Sequence, residues 1–347
     1  MGSVFSTPAQ RKLVFGCGAV AALCLLRCAY FNFKASATRH FLGRKEDSTA
    51  SENQLVFITG CDSGLGFSFA LHAYKLGYTV VAGCLQANGA GSTELLQLCP
   101  QRLHVLQLDV TSDVSVQTAA ETVQEMLAHN PHYELRALIN NAGVMIFGEF
   151  EWLTEQHILK QIDVNLLGAM RTTKSFSSML RKYKGRVIAI SSHCALAALP
   201  GLAVYGATKA GLLAWCDGLR VEQAKYGVPV ISFIPGSFFQ HTSILAKQQE
   251  YAKEMEEAMT PVDCKFFGDY FRRYNEYLSG MPTPRKPLPL QEEKLYSMLE
   301  HALLSKYPCP HYECATPRYR YYHFLFKTSP TWLRDYLVQR FMQMPEF

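Results

Sequence analysis

Tyr205 and Lys209 set a phenol and an ammonium four residues apart. On a helix that spacing stacks two side chains on one face, one turn apart. A phenol ordinarily titrates near pH ~10, too high for proton transfer at neutral pH. A neighbouring cation stabilises the phenolate, so the pair suits general acid and base work. Thirteen residues before the tyrosine, Ser191-Ser192 closes Arg186-Val187-Ile188-Ala189-Ile190, an apolar run that reads as a buried strand. Tyrosine and lysine at this spacing are common on plain helix surfaces, so the pair gains meaning only from its surroundings.

Those surroundings begin near residue 55. Leu55-Val56-Phe57-Ile58 reads as a short buried strand and runs into Thr59-Gly60-Cys61-Asp62-Ser63-Gly64-Leu65-Gly66. An amphipathic stretch (67–76) and a second apolar run (78–82) follow. Strand, glycine-rich turn, helix and strand is the context in which backbone N–H groups at a helix N-terminus hold a dinucleotide pyrophosphate. The glycines are spaced GxxxGxG, not the GxGxxG of the larger dinucleotide-binding dehydrogenases.

Taken in order and spacing, these residues resemble the short-chain dehydrogenases/reductases. The motifs are Thr59-Gly60 with Gly64-Leu65-Gly66, Asn140-Asn141-Ala142-Gly143, Asn165, Ser192, Tyr205 and Lys209, then Pro235-Gly236 after a strand-like run at 228–234. The resemblance is close over residues 54–240 and loose beyond. Residues 60–66, Ala82-Gly83-Cys84-Leu85 and Asn88-Gly89-Ala90-Gly91 are similar to a membrane-associated branch. That branch holds the oxidising 11β- and 17β-hydroxysteroid dehydrogenases, the retinol dehydrogenases and mitochondrial D-β-hydroxybutyrate dehydrogenase. The resemblance implies an α/β fold, one doubly wound parallel Rossmann-like sheet, that interconverts an alcohol and a ketone.

Residue roles follow from the same resemblance. Tyr205 exchanges a proton with the substrate oxygen. Lys209, with the charge of an oxidised nicotinamide, lowers the phenol pKa and holds the cofactor ribose. Ser192 donates a hydrogen bond to the reacting oxygen, and Asn165 holds a water behind the lysine. Thr59, Gly60, Ser63, Gly64, Leu65 and Gly66 form the pyrophosphate turn. Asp109 meets the adenine, and Asn140, Ala142 and Gly143 line the crevice after a strand at 137–139. Pro235, Gly236 and Thr242 lie at the nicotinamide end. Many relatives carry a threonine where this chain has Gln240, so either Gln240 or Thr242 contacts the carboxamide. A non-catalytic dinucleotide-binding scaffold is the rival of another class, and the complete Ser192, Tyr205 and Lys209 set argues against it.

The expected cofactor is NAD, with NADP not excluded. A 2′-phosphate wants a cation, while Ser63 is not basic and Cys84-Leu85-Gln86-Ala87-Asn88 bears no charge of either sign. The expected substrate is a hydrophobic small molecule, a steroid first and retinol or 3-hydroxybutyrate as alternatives. The residues placed near it are chiefly apolar: Met145, Ile146, Phe147, Leu196, Leu199, Phe238 and Phe239. His193 and His241 could supply polar donors, although a solvent-facing loop histidine is the plainer reading of each.

Charge divides the chain. Residues 1–45 carry seven of the 34 Lys/Arg and none of the 29 Asp/Glu, leaving 27 basic against 29 acidic residues elsewhere. The net +5 therefore belongs to the N-terminus, and no nucleic-acid footprint is expected. Within it, 13–26 is apolar, Arg27 interrupts, and 28–33 resumes. This reads as a membrane anchor of the endoplasmic reticulum with the catalytic part cytosolic, or alternatively as a mitochondrial presequence. Residues 1–6 also fit a myristoylation pattern, which chance explains better upstream of an apolar segment.

The expected division is 1–50 anchor and basic linker, 51–243 dinucleotide-binding core, and 244–347 substrate lid with an aromatic C-terminal extension of the same domain. The charged 244–300 stretch reads as a mobile lid. The aromatic, basic run 319–327 suits a membrane interface, the sheet or a second copy, since relatives are homo-oligomers. Eleven scattered cysteines are not a disulfide framework, and Cys309, His311 and Cys314 lack the spacing of a metal site, so none is expected.

Overall fold

Short runs rich in β-branched and aromatic residues become the sheet. The computed structural model describes residues 49–236, 238, 242–281, 287–342 and 344–347. Seven parallel strands, β1 (Gln54–Thr59), β2 (Thr79–Cys84), β3 (Leu103–Gln107), β4 (Glu134–Asn140), β5 (Arg186–Ile190), β6 (Val230–Ile234) and β7 (His311–Glu313), lie in the order β3-β2-β1-β4-β5-β6-β7. β2 and β5 are buried along their whole length, which parallel strands covered by helices on both faces require. The order reverses between β1 and β4. At such a reversal the crossovers leave in opposite directions and open a crevice at the strands' carboxyl ends.

The helices, in chain order, are α1 (Gly64–Leu76), α2 (Ala90–Leu98), α3 (Asp113–His129), α4 (Glu155–Ile162), α5 (Gly168–Tyr183), α6 (Ala203–Ala224), α7 (Gln248–Ala258), α8 (Pro261–Ser279), α9 (Glu293–Leu304), α10 (Pro317–Thr328) and α11 (Thr331–Met342). Helix α3 shows how the local sequence sets these elements. Ser112 caps it by accepting the Ser115 N–H at 3.2 Å, and Asp113 favours its positive end. Its buried Val116, Ala119, Ala120, Val123 and Leu127 fall at helical spacing on one stripe. That stripe packs with α5 and α6 on one face of the sheet, where the Phe57 and Phe176 rings meet at 4.6 Å. Fully burying such rings contributes roughly 1.5–3 kcal/mol each.

The opposite face carries α1 and α9. Helix α9 is held where it ends, because its last carbonyls would otherwise lack partners. Arg186 donates to the Ala302 and Ser305 carbonyls at 2.6 and 3.0 Å, and Arg136 to those of Leu303 and Leu304 at 2.9 and 3.2 Å. Burial, then the neighbouring Arg136, pushes Arg186 down to about 9.

Strands and helices expected from the sequence are present with ends shifted by a few residues, and 186–190 coincides with β5. Strand β7 was not foreseen. Its three residues pair with β6 between Cys309 and Cys314, a region read from sequence as loop. In the charged 244–300 stretch the charges of α7 face outward, while Tyr251, Met255, Tyr270, Phe271, Tyr274 and Leu278 join Met145, Ile146, Phe147 and Trp152 in one cluster. Trp152 takes Phe267, Tyr270, Phe271 and Tyr274 edge-on at 5.0–5.9 Å. Among the described residues no helix is long and apolar enough to cross a membrane, and segment 13–33 lies outside them.

Gly66 sits where α1 approaches the turn so closely that a methyl group would collide with the Gly60 carbonyl and the Asn141 amide. Gly66→Ala is expected to lower stability by about 1–3 kcal/mol through overpacking, read by urea denaturation. Wild-type stability in that variant would show that the turn gives way freely.

Candidate functional site

The crevice at the β1/β4 reversal is built from strand ends inward. After β1, Gly60 (φ +70°) and Gly64 (φ +60°) adopt backbone that side chains disfavour, turning the chain sharply into α1. Helix α1 starts with no side-chain cap at Ser63 and no acid in its first turn, so its positive end faces the crevice. Such an end, approached by glycines alone, fits the pyrophosphate of a dinucleotide.

Two polar residues hold β1 and β4 in register there. The Thr59 hydroxyl accepts the N–H groups of Asn141 and Ala142 at 3.0 and 2.9 Å. In return the Asn141 amide donates to the carbonyls of Thr59 and Gly60 at 2.9 and 3.0 Å. Asn140 reaches back to the Thr173 hydroxyl at 2.8 Å.

Asn165 comes from a π-helical turn, Asp163–Leu167, that joins α4 to α5. A π turn inserts one residue per turn and re-aims its side chains. Asn165 Oδ1 accepts the Val144 N–H at 2.7 Å, while Nδ2 donates to the Val144 carbonyl at 2.8 Å and the Thr208 hydroxyl at 3.2 Å. The amide thus fastens the loop after β4 to α6, and Gly143 lies against both the Asn165 amide and the Lys209 ammonium.

β5 and α6 bring the chemistry together. Ser192 accepts the Cys194 N–H at 3.2 Å and stands beside the Tyr205 phenol, whose pKa it holds down. Tyr205 and Lys209 lie on one buried face of α6, with Nζ 5.9 Å from the phenol ring centroid. Lys209 Nζ donates to the Ile190 carbonyl at 3.0 Å, and Ser191 fixes α6 by donating to the Lys209 carbonyl at 3.1 Å.

Burial governs the electrostatics of the pair. It raises the Tyr205 phenol well above its usual value; nearby Cys194 adds to this, and Ser192 only partly opposes it. Burial pushes the lysine itself down to about 8, with Cys194 the opposing influence. The ammonium is turned to Ile190, and both groups have lost their solvent.

One cleft of about 800 Å³ joins these parts. Gly60, Ser63, Gly64, Leu65, Asp109, Ala142, Gly143, Ser192, Tyr205, Lys209, Pro235, Gly236 and Thr242 all line it. Thr59, Gly66, Asn140 and Asn165 stand behind that lining as its supports. Thr242 lies against Gly64, where an added Cβ would be 3.0 Å from its side chain. Gln240 lies outside the described residues, as do Phe239 and His241.

At the substrate end the apolar expectation needs three amendments. Met145, Phe147, Leu199 and Phe238 line the cleft, but Ile146 is buried among the aromatic rings and Leu196 is 45% exposed. His193 is not a solvent-facing loop residue. It is 6% exposed, 5.1 Å from the Tyr319 ring and 4.8 Å from that of His323. Burial, then His323, pushes its imidazole down.

Several wall residues escaped the sequence reading. Tyr277 and Met281 follow from α8, and Arg318, Tyr319, Phe341, Met342 and Met344 from the C-terminal extension. Lying over 70 residues beyond the tyrosine, they gave no local signal. Asp62 was visible within the glycine turn yet unremarked. Its carboxylate accepts the Leu85 and Gln86 N–H groups, each at 2.9 Å, at the end of β2.

A family model described as short chain dehydrogenase matches residues 54–252. The chain is 37% identical over 268 residues to D-beta-hydroxybutyrate dehydrogenase, mitochondrial, of Mus musculus, covering 76% of this chain and 77% of that protein. It is 33% identical over 307 residues to estradiol 17-beta-dehydrogenase 2 of Rattus norvegicus, covering 85% of this chain and 77% of that one. A solved 3-ketoacyl-(acyl-carrier-protein) reductase from Brucella melitensis, complexed with NADH, is similar at a TM-score of 0.50 and 21% identity, over 58% of this chain and 81% of that one. At that identity the likeness speaks for the fold.

Thr59→Val keeps the side-chain shape and removes the acceptor shared by two N–H groups. We expect a loss of about 1–3 kcal/mol per orphaned N–H in urea unfolding. Stability within a few tenths of the wild type would show that this hydroxyl does not hold the crevice open.

Proposed function

The chain belongs to the short-chain dehydrogenase/reductase family and is an NAD(P)-dependent oxidoreductase, and from that premise we propose that it interconverts a secondary alcohol and a ketone on a hydrophobic substrate, a steroid first. The observation that carries this reading is that Ser192, Tyr205 and, one turn on, buried Lys209 line one cleft whose far wall is apolar and aromatic.

When bound, the dinucleotide supplies the hydride acceptor. Gly60, Ser63, Gly64, Leu65 and Gly66 would hold its pyrophosphate at the start of α1. Asp109 lies toward the adenine and Lys209 toward the ribose, while Pro235, Gly236 and Thr242 close the nicotinamide end. Tyr205 takes the hydroxyl proton in oxidation and returns it in reduction. Ser192, beside the phenol, steers the substrate oxygen to it. Burial favours the neutral phenol, so the chain by itself sets Tyr205 as an acid. The positive nicotinamide would tilt it toward base.

NAD is the favoured dinucleotide. The carboxylate of Asp62 stands at the end of β2, where the family reads the adenosine 2′-position, and Ser63, Leu85 and Asp109 around it bring no cation. A 2′-phosphate placed there would meet a like charge.

A second reading rests on Arg318. Its guanidinium stacks on Phe341 at 5.2 Å and lines the substrate end, where it could receive a carboxylate. That arrangement favours a hydroxy acid, the substrate class named for the hydroxybutyrate relative. Residues 13–33 we read as an anchor of the endoplasmic reticulum membrane, with a mitochondrial location accompanying the hydroxy-acid reading. A homo-oligomer and the division at residues 50 and 243 belong to the same proposal.

Tyr205→Phe should lower turnover at least 1,000-fold in both directions while NADH binding, followed by fluorescence, stays within a factor of three. Oxidation by the wild type should rise with pH, because it needs the phenolate. Assays with hydroxysteroids, retinol and 3-hydroxybutyrate separate the substrate readings, and normal turnover by the variant would remove the mechanism. Asp62→Asn should narrow the NAD over NADP preference by about tenfold, roughly 1.4 kcal/mol, in kcat/KM. An unchanged ratio would place cofactor choice elsewhere.

A further inference from the structure

Beside the cleft, three residues far apart in sequence come together. His193 directly follows Ser192 at the end of β5, Glu313 ends β7, and His323 lies on α10. One metal-ligating atom of each lies within 4.8 Å of the others.

The hydrogen bonding around them is that of ligands without a partner. His193 is 6% exposed, and its Nε2 faces the Cys314 carbonyl at 3.4 Å. A carbonyl can only accept, so Nε2 carries the proton and Nδ1 keeps its lone pair. That Nδ1 is buried with no hydrogen-bond partner, and so is Nδ1 of His323. Glu313 Oε1 is 3.8 Å from the His323 Nδ1, too far for a hydrogen bond. Leaving a buried polar atom unpaired costs about 1–3 kcal/mol, and this cluster contains two such atoms.

We propose that His193, Glu313 and His323 form a binding site for a divalent cation of the zinc type, which ties the Ser192 loop to the C-terminal extension. Two imidazole nitrogens and one carboxylate oxygen suit such an ion. A ligating histidine also characteristically gives its other N–H to a carbonyl, as His193 does to Cys314. Zinc bonds of about 2.0–2.1 Å in a tetrahedron place ligand atoms roughly 3.3 Å apart. The widest pair would therefore close by about 1.5 Å, a movement within reach of the Glu313 and His323 side-chain torsions. Glu313 is 43% exposed at its side chain and gives the ion an entrance from solvent, with room for a water as fourth ligand.

The consequence is local. Arg318 and Tyr319, on the same helix as His323, line the cleft, and so does His193, next in sequence to Ser192. The ion would hold that wall against the loop without touching the reacting atoms. It acts by positioning.

The test uses the full-length protein dialysed against ZnCl2, with bound metal measured by mass spectrometry, beside Glu313→Gln, His323→Ala and Cys309→Ser. The isosteric Glu313→Gln keeps shape and removes one ligand charge; circular dichroism and NADH binding confirm its fold. Wild type and Cys309→Ser should each bind one equivalent more tightly, at least tenfold, than Glu313→Gln and His323→Ala. Cobalt in place of zinc should give tetrahedral visible bands lost in the same two variants. No retained zinc in the wild type, or equal binding in Glu313→Gln, would overturn the site and assign any bound metal to thiols elsewhere.

Discussion

The cleft exists because β1 and β4 send their following segments apart at neighbouring carboxyl ends, and the Thr59 hydroxyl reconciles that divergence with the need to pair every buried N–H. A strand that leaves its sheet strands two half-buried donors of its neighbour, those of Asn141 and Ala142. One side-chain oxygen satisfies both, and the Asn141 amide pairs the opposite carbonyls. The crevice is thereby open to a ligand yet closed to unpaired backbone. Gly60, Gly64 and Gly66 let α1 approach this junction, so the positive end of the helix arrives where an anion can sit.

The chemistry above that floor is governed by desolvation. Burial acts in opposite directions on the two ionisable partners, raising the phenol and lowering the ammonium, because each is pushed toward its neutral form. Proximity of opposite charge, the simple reading of a tyrosine and lysine on one helix face, is not the dominant influence in the protein's own field. Lys209 is turned to the Ile190 carbonyl at a moderate distance from the phenol. A cationic ligand bound in the cleft would therefore change the balance more than a small movement of the lysine.

The C-terminal third is part of the same structure. Arg136 and Arg186 grip the end of α9, β7 extends the sheet, and α8 closes an aromatic cluster around Trp152. The aromatic and basic run of α10 packs Tyr319, Tyr322 and Phe326 against Phe341 of α11 and brings Arg318 to the cleft. Its Tyr277, Arg318 and Tyr319 join Met145, Phe147 and Leu199 of the core in lining the cleft.

By itself the sequence determined the alternation of strands and helices, the glycine turn, and the placement of Ser192, Tyr205 and Lys209 near one another. Each of these depends on local periodicity or on short, fixed spacings: a strand of five residues, a helix turn of four, a glycine that permits positive φ. The tertiary structure alone decided what those groups experience. Asp62 crossing to the end of β2, Asn165 turned onto Val144, the raised phenol, the buried His193 beside Glu313 and His323, and the C-terminal wall all join residues separated by 10 to more than 100 positions. Burial and long-range pairing carry no periodic signature along a chain, since they arise only when distant segments exclude water from one another.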